Sequence, residues 1–92
     1  MTSIAPALAI GRELQAKLAH LRAHYESLTP RECKVMACVV SGMLNKQIGA
    51  ELGITEKTVK FHRAHIMHKM LAESLADLVR MAERLGLPGQ RS

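Results

Sequence analysis

Between residues 12 and 85 apolar side chains return every third or fourth position, in stretches broken by Thr, Ser, Asn, Gly and Pro. That period predicts helices, and nothing alternates with the period of two that a half-buried strand needs. The first stretch carries Leu14, Leu18, Leu21, Tyr25 and Leu28, spaced four, three, four and three. This is a heptad seam of about two repeats. It fits either a partner helix or packing back on the same chain. Pro6 and Gly11 weaken the opening turns, so the firm helix is expected to begin near Arg12.

The second helix opens at L-T-P-R-E, where Thr29 is placed as N-cap, Pro30 as first helical residue and Glu32 as the return arm of a capping box. It turns Val35, Met36, Val39 and Val40 inward and stops at Gly42. A short third helix, K-Q-I-G-A-E-L, is expected to be capped by Asn45 and closed by Gly53, with Ile48 and Leu52 on its buried side. Thr55 caps a fourth, whose inward face is Val59, His62, Ile66 and Met70. Ser74, with Asp77 three positions on, opens a fifth helix carrying Leu75, Leu78, Val79, Ala82 and Leu85, which Gly86 and Pro88 end.

The third and fourth helices, joined by Gly53-Ile54-Thr55, fit a helix-turn-helix: a short helix, a glycine bend and a longer helix. Gly49 and Ala50 are small enough to let the pair approach closely. A glycine inside a helix costs about 1 kcal/mol against alanine, which close packing would explain. On the outer side of the fourth helix Lys57, Lys60, Phe61, Ala64 and His68 recur at helical spacing. Long donors, an apolar ring and a small residue together suit major-groove readout, since lysine reaches guanine acceptors and apolar groups touch the thymine methyl. Lys46, Thr55, Thr58, Arg63 and Lys69 lie near helix ends, where donors suit phosphates.

Charge strengthens that picture. Lys and Arg number 13 against 8 Asp and Glu in 92 residues, a formal net charge of +5. A polyanion is therefore the expected partner, and the length suits one domain. The bland alternative, a solvated basic face, is outweighed only by the joint pattern of bend, helix lengths and clustered donors.

The run from Leu28 to Met70, with T-P-R-E, G-M-L-N-K-Q-I and E-K-T-V-K-F-H-R in that order, resembles the LuxR-type DNA-binding domain, also found in the germination regulator GerE. With S-L-A-D-L-V-R-M-A following, it is most similar to the FixJ/NarL branch of response regulators in two-component systems. The resemblance implies an all-α, four-helix helix-turn-helix domain without a wing, preceded by an N-terminal linker helix. The organisation expected is a helical linker or dimerisation helix over 1–27, the DNA-binding domain over 28–86 and a frayed tail over 87–92. The recognition helix, 55–71, would enter the major groove of promoter DNA, with dimers on inverted half-sites and RNA polymerase as a candidate further partner.

By position, Lys60, Phe61 and Ala64 fall where the family faces bases, with Lys57 nearby. Lys46, Thr55, Thr58 and Arg63 fall at phosphate-facing places, and Lys69 is grouped with them from its position alone. His62 matches the family's histidine after V-K-x and is expected to be structural, with a phosphate contact as the alternative. Leu75, Leu78, Val79, Ala82 and Leu85 correspond to the usual dimer surface. Two departures stand out. Leu71 and Ala72 replace the glycine that usually ends the recognition helix, so that helix is expected to run on or to end without a left-handed cap. Gly49 replaces the usual alanine, which is expected to loosen the bend pair. The chain has no room for a receiver domain, leaving an excised output domain and a stand-alone regulator as alternatives.

Other chemistries find little support. There is no glycine-rich phosphate loop, nucleophile elbow or carboxylate pair, so no enzyme is expected. His62, His65 and His68, like His20 and His24, have helical spacing but no orienting carboxylate, so neither metal nor cofactor is expected. Cys33 and Cys38 lie five apart, which suits reduced core residues rather than a disulfide. No apolar run reaches the length of a membrane span, and a cytoplasmic location is expected. The alternative function is a helical protein-interaction module using the basic face and the Leu14 to Leu28 seam.

Overall fold

The computed structural model describes the backbone of residues 4–87 and the side chains of residues 11–87. Its helices are α1 (Ile4–Glu26), α2 (Pro30–Val40), α3 (Asn45–Leu52), α4 (Glu56–Met70) and α5 (Leu75–Leu85), with no strand among the described residues. The all-helical expectation and its boundaries therefore hold closely. Pro88 and the rest of the tail lie outside the described residues. The largest shift is at the first helix: α1 includes Pro6 and Gly11 instead of starting near Arg12. Pro6 sits in the first turn of that span, where an amide has no intrahelical partner to lose.

The core is built mainly by α2 and α4. Val35, Met36, Val39 and Val40 meet Val59, Ile66 and Met70, and Ile48, Leu78, Ala82 and Leu28 close the edges. Each fully buried aliphatic or methionine side chain contributes roughly 1.5–3 kcal/mol relative to solvent. His62 is only half-buried, so the inward stripe of α4 is Val59, Ile66 and Met70.

The apolar seam of the first helix divides. Leu28 is buried and Leu21 and Tyr25 pack against the core, whereas Leu14 stays 56% exposed. The C-terminal end of α1 is thus tied to its own chain. Burial, reinforced by a hydrogen bond with the Cys33 thiol, pushes the Tyr25 phenol above its ordinary 10.0. Cys33 and Cys38 are both free and partly buried against the core, and burial raises the Cys38 thiol.

The punctuation of α2 is as read. Thr29 Oγ1 accepts from the Glu32 amide at 3.1 Å while Glu32 Oε1 accepts from the Thr29 amide at 2.9 Å. The cap of α3 requires correction. Leu44, not Asn45, is the N-cap, and Asn45 is the first helical residue. Leucine has no side-chain acceptor, and the Leu44 amide is instead satisfied by Gln47 Oε1 at 2.8 Å. Asn45 is released for a different task, described below. At α5, Ser74 Oγ accepts from the Asp77 amide at 3.1 Å, but the Asp77 carboxylate reaches back to the Glu73 amide at 3.0 Å. This bond, then that of Arg80 at 2.8 Å, holds the Asp77 pKa below its ordinary value.

Burial also redraws α5. Leu78 and Ala82 are 2% and 0% exposed, so these two expected dimer-surface residues belong to the monomer core. Leu75 is open, and Val79 and Leu85 are half-buried. Any partner on this helix meets that narrower stripe.

Candidate nucleic-acid interface

The bend between α3 and α4 is set by backbone contact. Gly53 adopts φ 69 and ψ 34, a left-handed conformation that glycine reaches without strain, and its amide donates to the Gly49 carbonyl. The Ile54 amide donates to that carbonyl too, at 2.9 Å. A Cβ on Gly49 would stand 2.7 Å from the Ile54 carbonyl oxygen, closer than carbon and oxygen tolerate. The pair is therefore tighter at this point, not looser. The missing side chain of Gly49 lets the turn lie directly on α3.

Thr55 then starts α4, its Oγ1 accepting from the Thr58 amide at 3.1 Å and lying 2.9 Å from the Thr58 hydroxyl. Both hydroxyls are engaged locally, at the positive end of the helix dipole. The far end of α4 also differs from expectation. The helix stops at Met70, and Leu71 takes φ 58 and ψ 36, so a left-handed cap forms without glycine. Its amide and that of Ala72 return to the last carbonyls of α4, at 3.2 Å from His68 O and 2.9 Å from Met67 O. A leucine there carries strain of about 1 kcal/mol or more, since its Cβ crowds the backbone.

Two of the expected phosphate donors also bond within the molecule. Arg63 Nη1 donates to Asn45 Oδ1 at 2.7 Å, tying the middle of α4 to the start of α3. Lys69 Nζ lies 2.7 Å from Glu32 Oε1, the same carboxylate that closes the capping box of α2. Burial alone would raise the Glu32 pKa, but the hydrogen bond from Lys69 and that from the Thr29 amide outweigh it and hold it below 4.5. Lys69 therefore fixes α4 to α2. Neither link was visible in the sequence, because both join residues far apart in the chain.

The remaining residues form one open face. Lys57, Lys60, Phe61 and Ala64 are exposed, with His65 and His68 beside them, and Lys46 is exposed on neighbouring α3. Lys46, Lys57 and Lys60 make no ion pair among the described residues, so their ammonium groups stay available. Phe61 is 61% exposed, and its ring centroid lies 4.4 Å from that of His65. Phe61 is expected on this face from the sequence, and His65 is its unexpected neighbour. Their i, i+4 spacing was the available signal.

A concavity of about 660 Å³ lies between α1, the end of α4 and α5, and includes Leu14, Leu18, Leu21, Met70, Leu71 and Met81 in its lining. Among the described residues no cluster of His, Cys, Asp or Glu is arranged to hold a metal, and no helix is long and apolar enough to cross a membrane.

A glycine-bent helix pair, held rigidly and presenting free cations on its second helix, defines a helix-turn-helix domain. Residues 26–82 match the family model of bacterial regulatory proteins, luxR family. The chain belongs to that family and carries its DNA-binding, transcription-regulating domain. It is 54% identical over 76 residues to nodulation protein W of Bradyrhizobium diazoefficiens, covering 83% of this chain and 34% of that protein. With the transcriptional regulatory protein FixJ of Rhizobium meliloti it shares 48% identity over 62 residues, 67% of this chain and 30% of that one. The solved response regulator StyR superposes with a TM-score of 0.80 at 43% identity, over 83% of this chain and 38% of StyR. The chain thus spans about a third of the length of these relatives.

Proposed function

We propose that this domain regulates transcription by placing α4 in the major groove of promoter DNA, with Lys57, Lys60, Phe61 and Ala64 toward the bases. The single observation that carries this reading is the unpaired, exposed state of Lys57 and Lys60 beside Phe61 on a helix whose other side is locked into the core. Lysine can donate to guanine O6 and N7, and a small residue at Ala64 permits close approach. Lys46, Thr55 and Thr58 flank that face and suit phosphate contact, with the N-terminal amides of α4. Arg63 and Lys69 are reassigned in this reading. Arg63 positions the helix pair through Asn45, and Lys69 anchors α4 through Glu32.

The protein acts without catalysis, in the cytoplasm, as a homodimer on an inverted repeat. Leu75, Val79 and Leu85 are the α5 residues with surface left for a partner. RNA polymerase is a further partner of the DNA-bound form. The larger relatives support a longer regulator in which this domain is the output element.

A second reading has one observation in its favour: the groove lined by Leu14, Leu18 and Leu21 offers an apolar surface to another helix. Salt titration separates the two. DNA binding predicts affinity falling steeply with salt as phosphate contacts release counterions, with a selected duplex staying ahead of unrelated ones. Equal, weak binding to all duplexes would favour the protein-interaction reading.

A further inference from the structure

We propose that Phe61, backed by His65, is a reader of the pyrimidine 5-methyl group, so that one thymine in each half-site is recognised by its methyl. The inference rests on the groove-reading role of α4 and adds the chemical group that one of its side chains takes.

Phenylalanine has neither donor nor acceptor, so it cannot read the hydrogen-bonding edge of any base pair. The one apolar group that the four bases display in the major groove is the thymine methyl. Isolated exposed apolar residues are common and mean little in themselves. Here position carries the weight. Lys57, Phe61 and His65 follow one another at four-residue spacing and form a single exposed row along α4. A helical side chain leans toward the N-terminus, which brings His65 over Phe61. The two ring centroids lie 4.4 Å apart at 46°, close enough for one ring to limit the motion of the other. His62 lies edge-on to Phe61 at 6.1 Å. The phenyl ring thus has an aromatic neighbour while 61% of its surface remains open, and Ala64, three residues on and half-buried, leaves space for a methyl group.

Thymine and 5-methylcytosine carry the same methyl, and chemically edited duplexes distinguish them from their unmethylated counterparts. The 92-residue chain is first used to select a duplex from random sequence, and each thymine is then replaced singly by uracil, which removes only the methyl. One replacement per half-site is expected to weaken binding about fourfold, equivalent to ~0.8 kcal/mol for one buried carbon group. Cytosine at that position should bind more weakly than 5-methylcytosine by a similar factor. Phe61→Ala should bring both ratios near one, with an unchanged melting temperature and salt slope, since the residue is exposed and uncharged. His65→Ala should lower the ratios part of the way, and unchanged ratios would remove His65 from the reader. Equal binding of thymine and uracil duplexes at every position, or discrimination retained in Phe61→Ala, overturns the methyl reader while leaving groove binding intact. Failure to select any duplex would instead strike the DNA-binding reading itself.

Discussion

Along α4 two faces of one helix obey different demands. Val59, Ile66 and Met70 are 0%, 1% and 0% exposed and hold the helix to α2 and α3, while Phe61, two residues from Val59, is 61% exposed. The inward face is apolar and locked, and the outward face is cationic and unpaired. The lock is what gives the other face its use, because readout of base edges needs side chains presented from a backbone that does not move. Contacts at both ends reinforce it: Gly49 against the turn, and Lys69 against Glu32.

Breaking the inward face should have the largest effect. Ile66→Ala removes a fully buried side chain and is expected to destabilise the fold by about 3 kcal/mol, read from denaturant unfolding. Lys57→Ala, on the opposite side, should shift stability by no more than about 0.5 kcal/mol. Similar losses for both would mean that the two faces are not distinct.

Next in size is the clamp at the end of α4. Lys69→Met leaves the buried Glu32 carboxylate without its cation, and because Lys69 is partly open to solvent the expected loss at neutral pH is about 2 kcal/mol. The depressed pKa of Glu32 stabilises the fold above its ordinary 4.5, and that contribution is lost as pH falls through the lower folded value. The gap between parent and Lys69→Met should therefore narrow below pH 4.5. A gap independent of pH would show that Lys69 acts through packing alone.

The smallest effects should come from the two turns, with opposite signs. Gly49→Ala improves helix propensity yet drives a Cβ into the Ile54 carbonyl, and a net loss of about 1 kcal/mol is expected. Leu71→Gly relieves the left-handed leucine and should stabilise by roughly 0.5–1 kcal/mol, since the side chain is 66% exposed. A higher melting temperature for Gly49→Ala, or a lower one for Leu71→Gly, would contradict the respective contact or strain.

What could be read from the sequence was local. The capping box at Thr29 and Glu32, the bend at Gly53 and the inward stripe of Val59, Ile66 and Met70 are all encoded within a few residues. What could not be read was of longer range or finer sterics. Nothing near Lys69 in sequence reveals its partner Glu32, 37 positions away. Asn45 has the composition of a cap but is the first residue of α3, and its side chain accepts from Arg63, 18 positions away. Periodicity marks the apolar stripe of α5 but does not divide it between the core and a partner, and burial places Leu78 and Ala82 in the core. Leu71 shows that a helix can end in a left-handed residue that composition argues against.

The central claim, that the outward face of α4 reads sequence while its flanks hold the backbone, is tested most directly by comparing Lys60→Ala with Lys46→Ala on a panel of selected and mutated duplexes. Lys60→Ala should cost about 1–3 kcal/mol on the selected site and flatten preference at one base pair. Lys46→Ala should weaken all duplexes alike and reduce the salt slope by about one. If Lys60→Ala weakened every duplex equally, with base preference unchanged, α4 would not be the reading helix.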